Sequence, residues 1–257
     1  MQIEPKTRTW WTLLRAVSVL NIGLLSAVVT TVDWSQPYRT AHVGLAAVYT
    51  FVCAFRSFYP RIDLERTVMV DHWLSNIVLG RTSATIAEMC FTIQLSLVLF
   101  ELSPAVPWLS AIGWAIIPII AIAQVTCWAG VLTGNHLWHA LEESLWTLTV
   151  VLMAAAGIGL WPVAEGVMPT LIVMGWVGCG MSAYVMSGND VPMYIRRWRS
   201  ERAEGAVYRG VSAGFADAMT RREPTGAWAV WRHEVAWMTP YFSGGVWLSL
   251  YLARFSP

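Results

Sequence analysis

The sequence predicts an all-α, polytopic integral membrane protein, a bundle of seven transmembrane helices with a cytoplasmic N-terminus and a C-terminus on the opposite side. Composition, the spacing of apolar runs and the placement of arginines all favour this fold. The 257 residues are 56% hydrophobic and only 13% charged, whereas soluble domains are about one quarter charged. So few charged residues cannot cover a water-facing surface, and lipid is the expected solvent.

Seven apolar runs are long enough to cross a bilayer, which takes about 20 residues of helix. The predicted spans are 11–32, 41–58, 83–102, 109–132, 137–160, 167–186 and 235–255. The first run lacks a convincing small-residue cleavage motif, so it is expected to be a retained helix rather than a signal peptide. Residues 1–257 are therefore expected to form a single transmembrane helical domain.

The basic residues alternate between the two sides of this layout. Lys6, Arg8 and Arg15 flank the first run, four arginines lie between residues 56 and 81, and eight lie between residues 196 and 232. The intervening loops carry almost none. Seven crossings place all three basic groups on one side, and the positive-inside rule makes that side cytoplasmic. The cytoplasmic (inner) membrane of a bacterium is the expected location.

Two cytoplasmic segments are long enough to carry interfacial structure. Apolar residues in the segment 61–80 approximate helical spacing and predict an amphipathic helix in the interface. The segment 190–236 mixes arginines with tryptophans and predicts one or two surface helices against anionic headgroups. Gly188 can cap a helix and Pro192 can stop one, so the sixth helix is predicted to end between them.

Composition also bounds the partners. The net charge of +1 gives no case for nucleic acid binding, and the expected partners are membrane lipids, with a larger membrane complex or a homo-oligomer as further options.

Lys6 is the only lysine and precedes every apolar run, which excludes a retinal Schiff base inside the bundle. Cysteines 53, 90, 127 and 179 show no metal-ligand spacing and are interpreted as small packing residues.

The strongest chemical pattern opens the fifth predicted helix. His136, His139 and Glu143 are spaced i, i+3 and i+7, so they share one helical face, and Glu142 flanks it. These four residues are the candidate metal ligands, for zinc or iron with coordination positions left open. The same groups could transfer protons without a metal, or form a hydrated helix end. No residue is assigned to an organic cofactor.

A second pattern lies on the third predicted helix. Arg81 and Glu88 are seven residues apart, with Glu88 about two turns inside the apolar run. A carboxylate at that depth should be paired or protonated. Arg81 could be its partner in a clamp that fixes helix register, or could neutralise a substrate phosphate or carboxylate. Arg81, Glu88, Glu143 and Asp190 are the candidate catalytic residues, all expected near the cytoplasmic leaflet.

The leading functional hypothesis is a membrane enzyme or ligand-binding protein with a polar cavity near the cytoplasmic leaflet, with or without a metal ion, that acts on a lipid-like or apolar substrate. The alternatives are a haem- or pigment-binding subunit of a larger membrane complex and a small-solute transporter or channel. The layout is similar, in topology alone, to membrane hydrolases related to ceramidases and adiponectin receptors. The zinc-binding histidine pair on the last helix of that family has no counterpart in 235–255.

Overall fold

The computed structural model describes residues 2–254, which are nearly all α-helical. Six helices are long and apolar enough to cross a membrane: Pro5–Thr31 (α1), Pro37–Phe58 (α2), Ile77–Leu102 (α3), Leu109–Thr133 (α4), His136–Val163, which comprises α5 (His136–Leu160) and a 3-10 turn (Trp161–Val163), and Met168–Ala203. The predicted all-α class is confirmed, and the six helices are compatible with a membrane protein. The count of seven spans and the orientation stay predictions.

A further helical stretch occupies the place of the seventh predicted span. It consists of α10 (Val235–Pro240), a π-helical segment (Tyr241–Gly245) and α11 (Val246–Arg254). Its tryptophan, tyrosine, serine, glycine and proline residues dilute its apolar content, so it is not among the six. Its buried face packs against α1 and α2. Phe255, where the predicted span ends, lies outside the described residues.

The predicted end of the sixth helix is wrong. α6 (Met168–Ala183) runs through a π-helical segment (Tyr184–Asp190) directly into α7 (Val191–Ala203). The Val191 N–H donates to the Met186 carbonyl, five residues back. A wider turn of this kind accommodates the proline ring and its missing N–H, so Pro192 enters the helix near the start of α7 instead of stopping it.

The predicted amphipathic helix over 61–80 is wrong before Ile77. The segment forms two short strands, β1 (Arg61–Ile62) and β2 (Thr67–Val68), paired antiparallel, followed by a 3-10 turn (Trp73–Ser75). A third strand, β3 (Glu223–Pro224), pairs in parallel with β2. Asn76 then begins α3, because its side-chain oxygen accepts the Leu79 N–H at 2.7 Å.

Two buried arginines hold this small sheet. The Arg61 guanidinium donates from Nη1 to the Asn76 carbonyl at 2.7 Å, and burial lowers the pKa of Arg61 to about 10. Arg66 adopts a left-handed conformation with φ of 59° and pairs with Asp217 at 2.9 Å. Polar side chains therefore take core positions here, which is why apolar spacing alone predicted the wrong element.

The rest of the segment 190–236 contains α8 (Val211–Thr220) and the short α9 (Trp228–Trp231). Residues 2–254 form two compact units. Unit 1 comprises residues 2–94 and 215–254, and its core is built by α1, α2 and the helical stretch 235–254. Unit 2 comprises residues 95–214, and its apolar core lies among α4, α5 and α6. α3 contributes residues to both units.

Candidate functional site

A tight helical hairpin in unit 2 positions the residues of the fifth predicted helix. α4 ends at Gly134, whose φ of 76° is the left-handed conformation that terminates a helix. Asn135 caps α5 at once, since its side-chain oxygen accepts the Leu137 N–H at 3.0 Å. α4 and α5 therefore pack antiparallel with Gly130 beside His139. Cys127 and Glu142 each lie three residues further from the turn.

Three potential metal ligands meet on this hairpin. Ligand atoms of Cys127, His139 and Glu142 all lie within 4.8 Å of one another, and all three residues are buried. His139 Nδ1 lies 2.9 Å from Glu142 Oε2. The other ring nitrogen of His139, Nε2, is buried without a hydrogen-bond partner among the described residues. A buried polar group without a hydrogen-bond partner lowers the stability of the fold by about 1–3 kcal/mol. A ligand bound to Nε2 would remove this cost.

Gly130 is required for this approach. A Cβ atom on Gly130 would lie 2.6 Å from His139 Nε2, which is shorter than non-bonded atoms tolerate. Any other residue would push the imidazole away from α4, and with it away from Cys127. The glycine therefore acts as a spacer that lets a histidine of α5 lie against the backbone of α4.

α7 covers the other side of the histidines. His136 Nδ1 lies 2.5 Å from Glu201 Oε1. The ring centroid of Tyr194 lies 5.2 Å from that of His139 and 6.0 Å from that of His136. Glu201 also accepts a hydrogen bond from the Tyr208 hydroxyl at 3.2 Å. His136 is thus engaged by α7, and His139 is the histidine of the ligand cluster.

The cluster of potential metal ligands found among the described residues does not include the remaining predicted site residues. Glu143 and Asp190 are half-buried, in α5 and in the π-helical segment after α6. Arg81 and Glu88 form a buried ion pair in unit 1, with Arg81 Nη2 2.9 Å from Glu88 Oε1. The structure therefore brings together His139 with Glu142, and Arg81 with Glu88, out of the residues that the sequence singled out.

Cys127 was missed because it belongs to a different helix and shows no sequence spacing to the histidines. The sequence of the hairpin turn does indicate which residues of α4 and α5 face each other. With Gly134 ending one helix and Asn135 capping the next, residues equally distant from the turn face each other, and Cys127 falls opposite Glu142. The interpretation of this cysteine as a packing residue was made without reference to that register.

The donor set indicates which ions fit. Cysteine sulfur, histidine nitrogen and a carboxylate are the ligands of zinc, whereas magnesium and calcium take oxygen. Ligand atoms about 2.0–2.3 Å from a zinc ion lie roughly 3–4 Å from each other, so small side-chain rotations would complete the set. The buried, unsatisfied His139 Nε2 agrees with a site of this kind.

No protein-family model, no curated protein and no solved structure matches this chain. The functional assignment is therefore carried by the residues described above.

Proposed function

We propose that this chain is an integral membrane protein that holds one divalent transition-metal ion, with zinc favoured over iron, on the α4–α5 hairpin near the cytoplasmic leaflet. It would use this ion as an enzyme or ligand-binding protein for a lipid-like or apolar substrate with a polar head. The observation that carries the proposal is the convergence of Cys127, His139 and Glu142, all buried, within 4.8 Å.

The number of protein ligands in the cluster is the number found in catalytic zinc sites. Three protein ligands leave a fourth coordination position, as catalytic zinc sites do, and a bound zinc ion supplies Lewis acidity or an activated water there. Cys127 and His139 would hold the ion directly, while Glu142 would bind it or orient the imidazole through Nδ1. Glu143 and Asp190, half-buried in the same unit, are the proposed proton carriers.

The topology is part of the proposal. The helical stretch 235–254 would be the seventh span. The three basic groups of the sequence, which all precede it, would lie on the cytoplasmic side. Single cysteines placed at Gln2 and Arg254 in a cysteine-free background should be labelled from opposite sides of sealed vesicles by a membrane-impermeant maleimide. Labelling of both from one side would refute the seventh span.

The metal is tested on the purified full chain. Elemental analysis should find about one zinc or iron per chain, and His139→Ala or Cys127→Ser should remove it. Loss of one of three ligands from a site of this kind abolishes stable binding, because the remaining two cannot enclose the ion.

His233→Ala and Cys179→Ser serve as matched controls, since His233 is exposed and Cys179 lies on α6 outside the cluster. Both should retain the metal. Absence of metal from the purified protein even after incubation with zinc, or equal metal content in His139→Ala and in the wild-type protein, would refute the proposal. A Soret band in the same preparation would favour the haem-binding alternative instead.

A further inference from the structure

An apolar groove of about 530 Å³ runs between α5 and α6 in unit 2. Its lining carries no charged side chain and includes Val150, Ala154 and Ile158 of α5 together with Gly180 and Ala183 of α6. α6 is exposed along most of its length, since Ile172 is the one buried residue within Met168–Ala183. The groove is therefore open to the surroundings of the protein, which in a bilayer are hydrocarbon chains.

Trp176 forms a fixed wall of this groove. Its indole Nε1 donates a hydrogen bond to the Ala154 carbonyl at 2.9 Å. A Cβ atom on Gly157 would lie 2.6 Å from the same nitrogen, so the glycine is what lets the indole lie directly against α5. The ring of Trp161 packs on the ring of Trp176, with 5.4 Å between centroids. A rigid wall of this kind limits how far a bound chain can extend.

The groove and the metal-ligand cluster lie along one antiparallel seam, which we define as the contact of α5 with the continuous helix 168–203. α5 contacts α6, the π-helical segment and α7 along this seam. Trp176 meets Ala154 at the groove, and the ring centroid of Tyr194 lies 5.2 Å from that of His139 at the cluster. His139 and Ala154 are 15 residues apart in α5, which is about 22 Å of helix. A long molecule in the seam can therefore reach both.

The cluster end of the seam is positively charged. The charge of Arg197 on α7 acts on His136, one helical turn before His139. The Arg209 side chain reaches the turn of the α4–α5 hairpin, where its Nη1 lies 3.9 Å from the place of a Cβ atom on Gly134. An anionic head is thus matched at this end by arginines and by the proposed metal ion, while an apolar tail is matched by the groove at the other end.

We propose that the seam binds one single-chain lipid with an anionic, oxygen-donating head such as a carboxylate, the head at the metal ion and the tail in the groove. This proposal rests on the proposed metal site and names its substrate class. Val150, where the groove begins, is 11 residues or about 16 Å of helix from His139. A long chain bound by its head at the metal spans that distance, whereas a short acid does not enter the groove.

The experiment titrates alkyl hydroxamates into the full, cobalt-loaded chain at a fixed detergent concentration. Acetohydroxamate, octanohydroxamate and palmitohydroxamate share one metal-chelating head and differ in tail length. Binding is followed by the change in cobalt absorption when the head coordinates the ion. The wild-type protein should bind palmitohydroxamate roughly tenfold or more tightly than octanohydroxamate, because packing against the groove adds contacts that the micelle does not supply.

Gly180→Leu fills the groove, and its matched control is Gly178→Leu. No atom lies within 4 Å of a Cβ added at either glycine, so both variants should fold. Two residues correspond to about 200° of rotation around a helix, which places the Gly178 side chain away from the groove. Gly180→Leu should bind palmitohydroxamate and octanohydroxamate equally and keep the acetohydroxamate affinity of the wild-type protein. Gly178→Leu should keep the preference for the long chain.

Equal binding of the long and short probes by the wild-type protein would overturn the proposal and indicate that bulk membrane lipid fills the groove. A preference for the long chain that survives in Gly180→Leu would also overturn it. Conversion of an oligomer into a monomer by Gly180→Leu, seen by light scattering, would assign the groove to a second copy of the chain instead.

Failure of the metal site gives a different result, because the cobalt absorption itself would then be absent. The groove is tested in that case by thermal unfolding of the metal-free chain with palmitate. Stabilisation of the wild-type protein and of Gly178→Leu, but not of Gly180→Leu, would support the tail site. Equal stabilisation of all three would refute it.

Discussion

In unit 2, Cys127, His139 and Glu142 bring potential metal ligands together, and His139 Nε2 has no hydrogen-bond partner among the described residues. In unit 1, Arg81 and Glu88 bring opposite charges together at 2.9 Å. Both groups are buried and polar, but the first contains an unsatisfied ring nitrogen and the second contains an ion pair. A buried polar cluster therefore indicates its ligand by what its own groups leave unsatisfied.

The largest expected effect concerns the buried ion pair of unit 1. Arg81→Met and Glu88→Met should each lower the free energy of unfolding by about 3–5 kcal/mol, because each leaves a buried charge uncompensated. The double replacement should recover most of that loss. Equilibrium unfolding of the three variants in mixed micelles measures it. If the single replacements are neutral, the pair is not buried as described and the contrast with the ligand cluster of unit 2 fails.

The next largest effect is expected from a substitution on the α4–α5 hairpin. Gly130→Ala should displace His139, remove the metal and lower the free energy of unfolding by about 1–3 kcal/mol through overpacking. Gly175→Ala on α6 is the control, since no atom lies within 4 Å of the added Cβ. It should keep the metal and change stability by no more than about 1 kcal/mol. A Gly130→Ala protein with full metal content would show that His139 is not a ligand.

The smallest effect is a pH dependence that comes from Glu234. Burial raises the pKa of Glu234 above its usual value of 4.5, even though its carboxylate accepts the Trp237 N–H at 2.7 Å. The folded protein then binds this proton more tightly than the unfolded chain, so stability falls as pH rises from 4.5 through the raised pKa. Glu234→Gln should flatten this fall in unfolding temperature, whereas the exposed control Glu165→Gln should leave it. An unchanged pH profile in Glu234→Gln would show that Glu234 titrates normally.

The length of the apolar runs predicted the helices well, because a helix that crosses a bilayer needs about 20 consecutive apolar residues. Predicted 109–132 and observed Leu109–Thr133 differ by one residue at one end. The method failed where polar groups occupy the interior. Arg61 and Arg66 are core residues of the small sheet, and the partner strand β3 lies more than 150 residues further along the chain. No local pattern could show that pairing.

The candidate site residues also divide into those that local sequence spacing predicts and those that it does not. His139 with Glu142, and Arg81 with Glu88, were predicted because each pair lies on one helix, where spacing fixes the shared face. Cys127 was not, because its place in the cluster depends on a neighbouring helix.

The metal centre is tested most directly by titrating cobalt(II) into the purified full chain. If Cys127 is a ligand, a thiolate-to-cobalt charge-transfer absorption should appear in the near ultraviolet and saturate at one cobalt per chain. Cys127→Ser should abolish this band, and Cys90→Ser on α3 should retain it. A band that survives Cys127→Ser, or no band at saturating cobalt in the wild-type protein, would contradict a metal site on the α4–α5 hairpin.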